Sequence, residues 1–179
     1  MQEALDRIID GCRRSLATVD SSDVDALIDG IRSSRKVFVY GSGRSGLVGQ
    51  LFAVRLVQLG FDVHFVGEMT TPIIGKEDLT LLISYTGRTS SVVQTGQIAK
   101  RIGSRVVCVT GTHGSPLTKV SDVSVVMNVV DEPGIKSSAP LGTIFEDSSL
   151  LLFDCIVSEL MVREGASEED MRNRHAIWV

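Results

Sequence analysis

Cysteine is scarce in this 179-residue chain, a basic excess is missing, and no long apolar run occurs. The three cysteines, Cys12, Cys108 and Cys155, are odd in number, far apart and set in apolar periodic segments. No pair has metal-ligand spacing, which argues against zinc or any other bound metal and leaves buried free thiols in a reducing compartment as the expectation. The formal net charge is −4, and a chain that grips a phosphate backbone usually carries a basic face, so nucleic acid is not the expected partner. A local basic cluster can still hold a single phosphate. The N-terminal MQEALDRIIDGCRRSL is amphipathic and broken by charges, unlike a signal peptide. No apolar stretch approaches the roughly 20 residues that span a bilayer. A cytoplasmic protein with no membrane partner is expected. Internal repeats and low-complexity segments are also missing.

What is there suits one domain over 1–179. Apolar residues make up 43% and charged residues 22%, enough for a sizeable core under an ordinary surface. Residues 1–35 look helical: Val24, Leu27, Ile28 and Ile31 recur at helical spacing, and Ser22 followed by Asp25 is a weak capping signal. From Lys36 the period changes. The run KVFVY is β-branched and nearly all apolar, as expected of a strand covered on both faces. A helix closed by Gly60 follows. Further strands are expected at Val63–Val66, Leu79–Ser84, Arg105–Thr110 and Val123–Asn128, with a helix from Ser90 to Ile102. Such alternation predicts an α/β fold, a doubly wound, Rossmann-like parallel sheet flanked by helices. The stretch Val130–Leu141 reads as a loop. A long apolar helix is expected from Thr143 to Arg163, ending the 36–163 body, and residues 164–179 form a charged tail helix or arm.

Open parallel sheets bind ligands beyond the carboxyl ends of their strands. Two such places carry unusual sequences. After the first strand comes Gly41-Ser42-Gly43-Arg44-Ser45-Gly46. Its glycines let a ligand approach the backbone, the next helix aims free N–H groups there, and Ser42, Ser45 and Arg44 add donors suited to phosphate. The segment also matches G-x-G-x-x-G, with Glu68 some distance downstream where a ribose-binding acid stands in dinucleotide enzymes. A bare glycine turn remains a third reading. After the third strand comes Ser84-Tyr85-Thr86-Gly87-Arg88-Thr89, then Ser90 and Ser91. Thr89 or Ser90 would cap the helix that follows, but capping needs one hydroxyl and this turn offers five. A turn so rich in hydroxyls and free amides makes a monoester phosphate cradle.

With these two motifs the sequence resembles the sugar isomerase (SIS) domain family, over roughly Val37 to Arg163. It is similar to the 6-phospho-3-hexuloisomerase branch in YGSGRSGLVGQLFAVRLVQLGFDVHFVGE, TTPIIGKEDL, APLGTIFEDSSLLLFDCIVSELM and MRNRHA. The resemblance implies a five-stranded parallel sheet of SIS-domain type and a sugar-phosphate substrate, 3-hexulose 6-phosphate isomerised to fructose 6-phosphate. It also implies no cofactor and a homotetramer. Where the branch has a glycine, a serine and a glutamate in its second loop, this chain has Tyr85, Thr86 and Arg88. Thr86 keeps the hydroxyl, whereas Arg88 inverts a charge. Arabinose 5-phosphate isomerase and a non-catalytic phosphosugar sensor use the same domain.

Moving a carbonyl between C3 and C2 needs a base for the C2 proton and a shuttle between the oxygens. The resemblance places a glutamate at Glu146 in the sugar site. The residues themselves allow another role, since Thr143-x-x-Glu146 also reads as a capping box. His175 in the tail is the candidate shuttle if the tail folds over a site, its own or a neighbour's. Glu68, with Thr71, follows the second strand and is either a sugar contact, a second candidate base or a solvated loop acid. Ser42, Gly43, Arg44, Ser45, Ser84, Thr86, Gly87 and Thr89 are the expected phosphate contacts. His64 reads as a core or interface residue, and His113 lies on a post-strand loop. Leu150, Leu151, Leu152, Phe153, Ile156 and Val157 nearly circle the long helix, which predicts burial on several sides, as in a homo-oligomer.

Overall fold

The computed structural model describes residues 1–129 and 135–177. Five strands form one all-parallel sheet: β1 (Val37–Gly41), β2 (Val63–Phe65), β3 (Leu79–Ser84), β4 (Arg105–Thr110) and β5 (Val123–Val126), in the order β2-β1-β3-β4-β5. The helices are α1 (Gln2–Leu16), α2 (Ser21–Ser33), α3 (Gly43–Leu59), α4 (Ser90–Ile102), α5 (Pro116–Val120), α6 (Ile135–Ser138), α7 (Thr143–Glu164) and α8 (Glu168–Asn173). The chain order reverses between β1 and β3. That reversal is the switch point where an open parallel sheet leaves a crevice.

The continuous apolar strands are explained by burial on both faces. Every residue of β3 is buried. Leu79, Leu81 and Ile83 point into the larger core with Val37, Val39, Val107, Leu27, Phe52, Phe145 and Phe153, while Leu82 joins Val106, Cys108, Val92 and Leu117 on the opposite face. Alternation of side chains along a strand sends odd and even residues to opposite layers. The larger core packs α2, α3 and α7 on one face, and its Phe52 and Phe153 rings stack with centroids 4.3 Å apart. The smaller core packs α4 and α5 on the other. Among the described residues no helix is long and apolar enough to cross a membrane.

Three local readings change. Asp20, not Ser22, caps α2: its backbone is extended and its carboxylate accepts from the Ser22 amide at 2.8 Å, so Ser22 already lies inside the helix. Of the stretch read as a loop, residues 130–134 lie outside the described residues and Ile135–Ser138 forms the short α6. Cys12 and Cys108 are buried free thiols, raised above the ordinary thiol pKa chiefly by that burial, but Cys155 is exposed on α7. The apolar girdle of α7 is largely covered by its own chain, with Leu152, Phe153, Ile156 and Val157 buried and Leu151 exposed. A further uncovered stripe runs along α3 through Leu47, Leu51 and Val54.

Candidate functional site

The first glycine turn joins β1 to α3. A Cβ on Gly46 would stand 2.5 Å from the Gly41 carbonyl oxygen, so only glycine lets the helix start this close to the strand end. This brings the free amides of the first turn of α3 to the sheet rim. Ser42 occupies the N-cap position with extended backbone, yet its hydroxyl makes no capping bond. Ser42, Gly43 and Arg44 are exposed, and Ser45 is buried at the foot of the turn.

The second turn joins β3 to α4. β1 and β3 are paired in register, Gly41 beside Ile83. Neighbouring strands lie about 5 Å apart, so the two turns share one rim. Gly87 has φ +60, and its backbone is pressed against Ser115, the buried N-cap of α5. The Gly87 carbonyl accepts from Leu117 N at 3.0 Å. Thr89 holds the N-cap position of α4 without a side-chain cap bond; its hydroxyl instead lies 3.2 Å from Ser84 Oγ. Thr86 Oγ1 accepts from the Arg88 amide at 3.3 Å. The hydroxyls of this turn are therefore not consumed by capping.

The third wall is the start of α7. The capping-box reading of Glu146 is replaced by a different arrangement. The N-cap is Gly142, which follows Leu141, and both have positive φ. Thr143 lies inside the helix with its Oγ1 donating to Pro140 O at 2.6 Å, and the Glu146 amide donates to Gly142 O at 3.0 Å rather than to a threonine hydroxyl. The Glu146 carboxylate accepts from Arg44 Nε across the rim. The pair is lopsided: the Glu146 side chain is 9% exposed and that of Arg44 62%. Its hydrogen bond, then its charge, raises the Arg44 guanidinium above its ordinary value. The first turn and the acid of α7 thus meet although 102 residues separate them.

Other candidates stand apart from this pair. Glu68 is exposed one strand outward, beyond the end of β2. Thr71 Oγ1 is used in its own turn, on Glu68 O at 2.6 Å and Phe65 O at 3.1 Å. Glu68 lines a groove of about 980 Å³ beside α3 and β2, which also contains His175. His175 itself is exposed, sits by Gln58 at the far end of α3 from Glu146, and has Nδ1 3.0 Å from Ala176 O. Within one chain it does not reach Glu146. His64 is half-buried on β2, its ring centroid 5.6 Å from that of Phe38, and His113 is exposed. Among the described residues no three His, Cys, Asp or Glu side chains gather as metal ligands. Two buried supports were missed from sequence, Thr110 and Ser115. The signal available for Ser115 was the Ser-Pro pair, which opens a helix.

The SIS domain profile matches residues 30–150. A Methanocaldococcus jannaschii protein named 3-hexulose-6-phosphate isomerase is 38% identical, the match covering 85% of this chain and 82% of that one. A Bacillus subtilis protein of the same name is 34% identical, covering 97% and 96%. A crystal structure of a Methanococcus jannaschii protein, described as inferring a molecular function of 3-hexulose-6-phosphate isomerase, superposes with a TM-score of 0.89 at 34% identity and 99% coverage of both chains.

Proposed function

This chain belongs to the SIS domain family, and from that premise we propose that it interconverts 3-hexulose 6-phosphate and fructose 6-phosphate through an enediol. The observation that carries the reading is the buried Glu146 carboxylate tied to the arginine of one of two phosphate-suited turns that follow adjacent strands. The relatives named for that reaction, matched over most of their length, support the choice of sugar.

In this reading the 6-phosphate rests between the turns, on the first-turn amides of α3 and the hydroxyls of Ser42, Ser45, Ser84, Thr86 and Thr89, with Arg44 as its counter-charge. Gly43 and Gly87 keep the backbone close to it. Glu146 takes the proton from C2, and the 2,3-enediol forms as the C3 carbonyl becomes a hydroxyl. Return of the proton to C3 leaves the carbonyl at C2. Oxidation at C2 and reduction at C3 balance within the sugar, so the step consumes no cofactor. Glu68 and Thr71 contact sugar hydroxyls. His175 moves the proton between O2 and O3 in a neighbouring copy's site, since in its own chain it lies at the wrong end of α3. That requires a homo-oligomer, a tetramer from the resemblance, closed over the α3 stripe of Leu47, Leu51 and Val54. The free thiols suit the cytoplasm.

The test is a coupled assay in which purified protein receives 3-hexulose 6-phosphate or arabinose 5-phosphate and the appearance of product is followed. Conversion of the hexulose phosphate to fructose 6-phosphate is expected. Phosphosugar binding without turnover would make the protein a sensor. A rise in melting temperature with NAD(P) but not with fructose 6-phosphate would make it a nucleotide enzyme.

A further inference from the structure

Tyr85 lies directly after β3, on the second turn, and its backbone is fixed to the end of β4. Its carbonyl accepts from Gly111 N at 2.9 Å, Thr110 Oγ1 at 3.2 Å and Thr112 Oγ1 at 3.4 Å. The half-buried ring is then held edgewise between two glycines. A Cβ on Gly111 would stand 2.5 Å from Cδ2, and one on Gly142 would stand 3.3 Å from Cδ1. The ring also lies against Phe145, with centroids 5.2 Å apart and planes tilted by 30°.

Gly142 and Phe145 are the two ends of the turn that precedes Glu146, and the Glu146 amide donates to Gly142 O at 3.0 Å. That turn has no side-chain cap of its own. Its placement therefore rests on what packs against it. On one side α1 supplies the support, with Gly11 beneath Ile144 and Cys12 Sγ 3.9 Å from Ile144 O. On the other side stands Tyr85, which also belongs to the second turn. No hydrogen bond of the Tyr85 hydroxyl is made among the described residues, so the contact is made by the ring.

We propose that Tyr85 is a positioning residue, whose ring braces the start of α7 against the second turn and so sets where the Glu146 carboxylate stands relative to a phosphate held there. The proposal rests on Glu146 being the base. The anchored phosphate fixes where C2 of the sugar lies, so the brace sets the distance between the base and the C2 proton, and a misplacement of the order of 1 Å at such a reacting pair can cost about 100-fold in rate. Removing the ring should therefore act on turnover. The phosphate contacts themselves, which come from hydroxyls and amides on either side of Tyr85, are left in place.

The experiment compares Tyr85→Ala, Tyr85→Phe and Gly111→Ala, the last of which displaces the ring while leaving Tyr85 present. For each, kcat and KM for 3-hexulose 6-phosphate are measured, together with hydrogen exchange of the amides of residues 144–148. Tyr85→Ala and Gly111→Ala are expected to lower kcat by about 10- to 100-fold, with KM changed less than about threefold and faster exchange in the first turn of α7. Tyr85→Phe should restore both readouts to within about twofold of the unaltered protein, because the ring is retained. The proposal is overturned if both disruptive variants keep full kcat, if their loss appears in KM instead, or if Tyr85→Phe falls as far as Tyr85→Ala. Absence of turnover in the unaltered protein would sink the isomerase reading itself. The exchange measurement would then still decide whether the ring holds α7.

Discussion

The two rims of the sheet use polar residues in opposite ways. At the amino ends of the strands, polar groups are spent on one another. Asp78, its side chain wholly buried, accepts from Gly75 N at 2.7 Å and faces Arg35 Nε at 3.4 Å. Ser104 Oγ donates to the Asp78 carbonyl at 2.8 Å and lies 3.1 Å from Thr80 Oγ1. Asp122 pairs with Lys100 and accepts from Val106 N at 2.9 Å. Burial pushes its carboxyl up, but these partners outweigh burial and hold it below the ordinary value. At the carboxyl ends, Ser42 and Thr89 sit at N-caps without capping, and Ser42, Arg44, Thr86 and Arg88 are exposed. The lesson is that a polar group already satisfied by its neighbours holds the fold, whereas one presented without a full set of partners is available to a ligand.

That contrast predicts different costs for substitutions at the two rims. The largest effect is expected from Glu146→Gln, which keeps the shape and removes the proposed base: turnover in the coupled assay should fall by about 10²- to 10⁴-fold, with circular dichroism unchanged. Near-normal turnover would remove Glu146 from the chemistry. Ser42→Ala combined with Thr89→Ala comes next. Two hydrogen bonds to a charged group, worth about 1.5–3 kcal/mol each, should be lost from phosphate binding, while the fold loses only the part-buried Thr89–Ser84 hydroxyl contact. KM for the sugar phosphate and inhibition by inorganic phosphate should weaken together, while the urea midpoint stays put. A drop in the midpoint would mean the hydroxyls belong to the fold after all. Asp78→Ala should show the reverse pattern. It strands the Gly75 amide and should cost about 1–3 kcal/mol of stability, read from urea unfolding, with KM and kcat unchanged. A loss of activity in the folded variant would erase the distinction between the rims.

Much of this was legible in the chain, and the reasons differ by element. β3, β4 and α4 fall at the bounds expected from Leu79–Ser84, Arg105–Thr110 and Ser90–Ile102. Fully buried parallel strands give uninterrupted apolar runs, and glycines after helices give clear stops. The cap of α2 was misplaced by two residues, Ser22 for Asp20, because Asp20, Ser21 and Ser22 all offer an acceptor and only the backbone conformation picks one. The location of the two turns was equally plain, since glycine and hydroxyl clusters interrupt a periodic pattern.

Glu146 marks the boundary of such reading. Its sequence neighbours permitted a capping box, and a local pattern cannot weigh a local partner against one 102 residues away. The sequence alone determined the layers of the fold and which turns carry free donors, because burial and turn chemistry act over a few residues. Only the tertiary structure decided that β1 lies beside β3, that Arg44 rather than Thr143 faces Glu146, and that Tyr85 abuts the start of α7. Those outcomes depend on distances between segments remote in the chain, which the folding of the whole sheet sets.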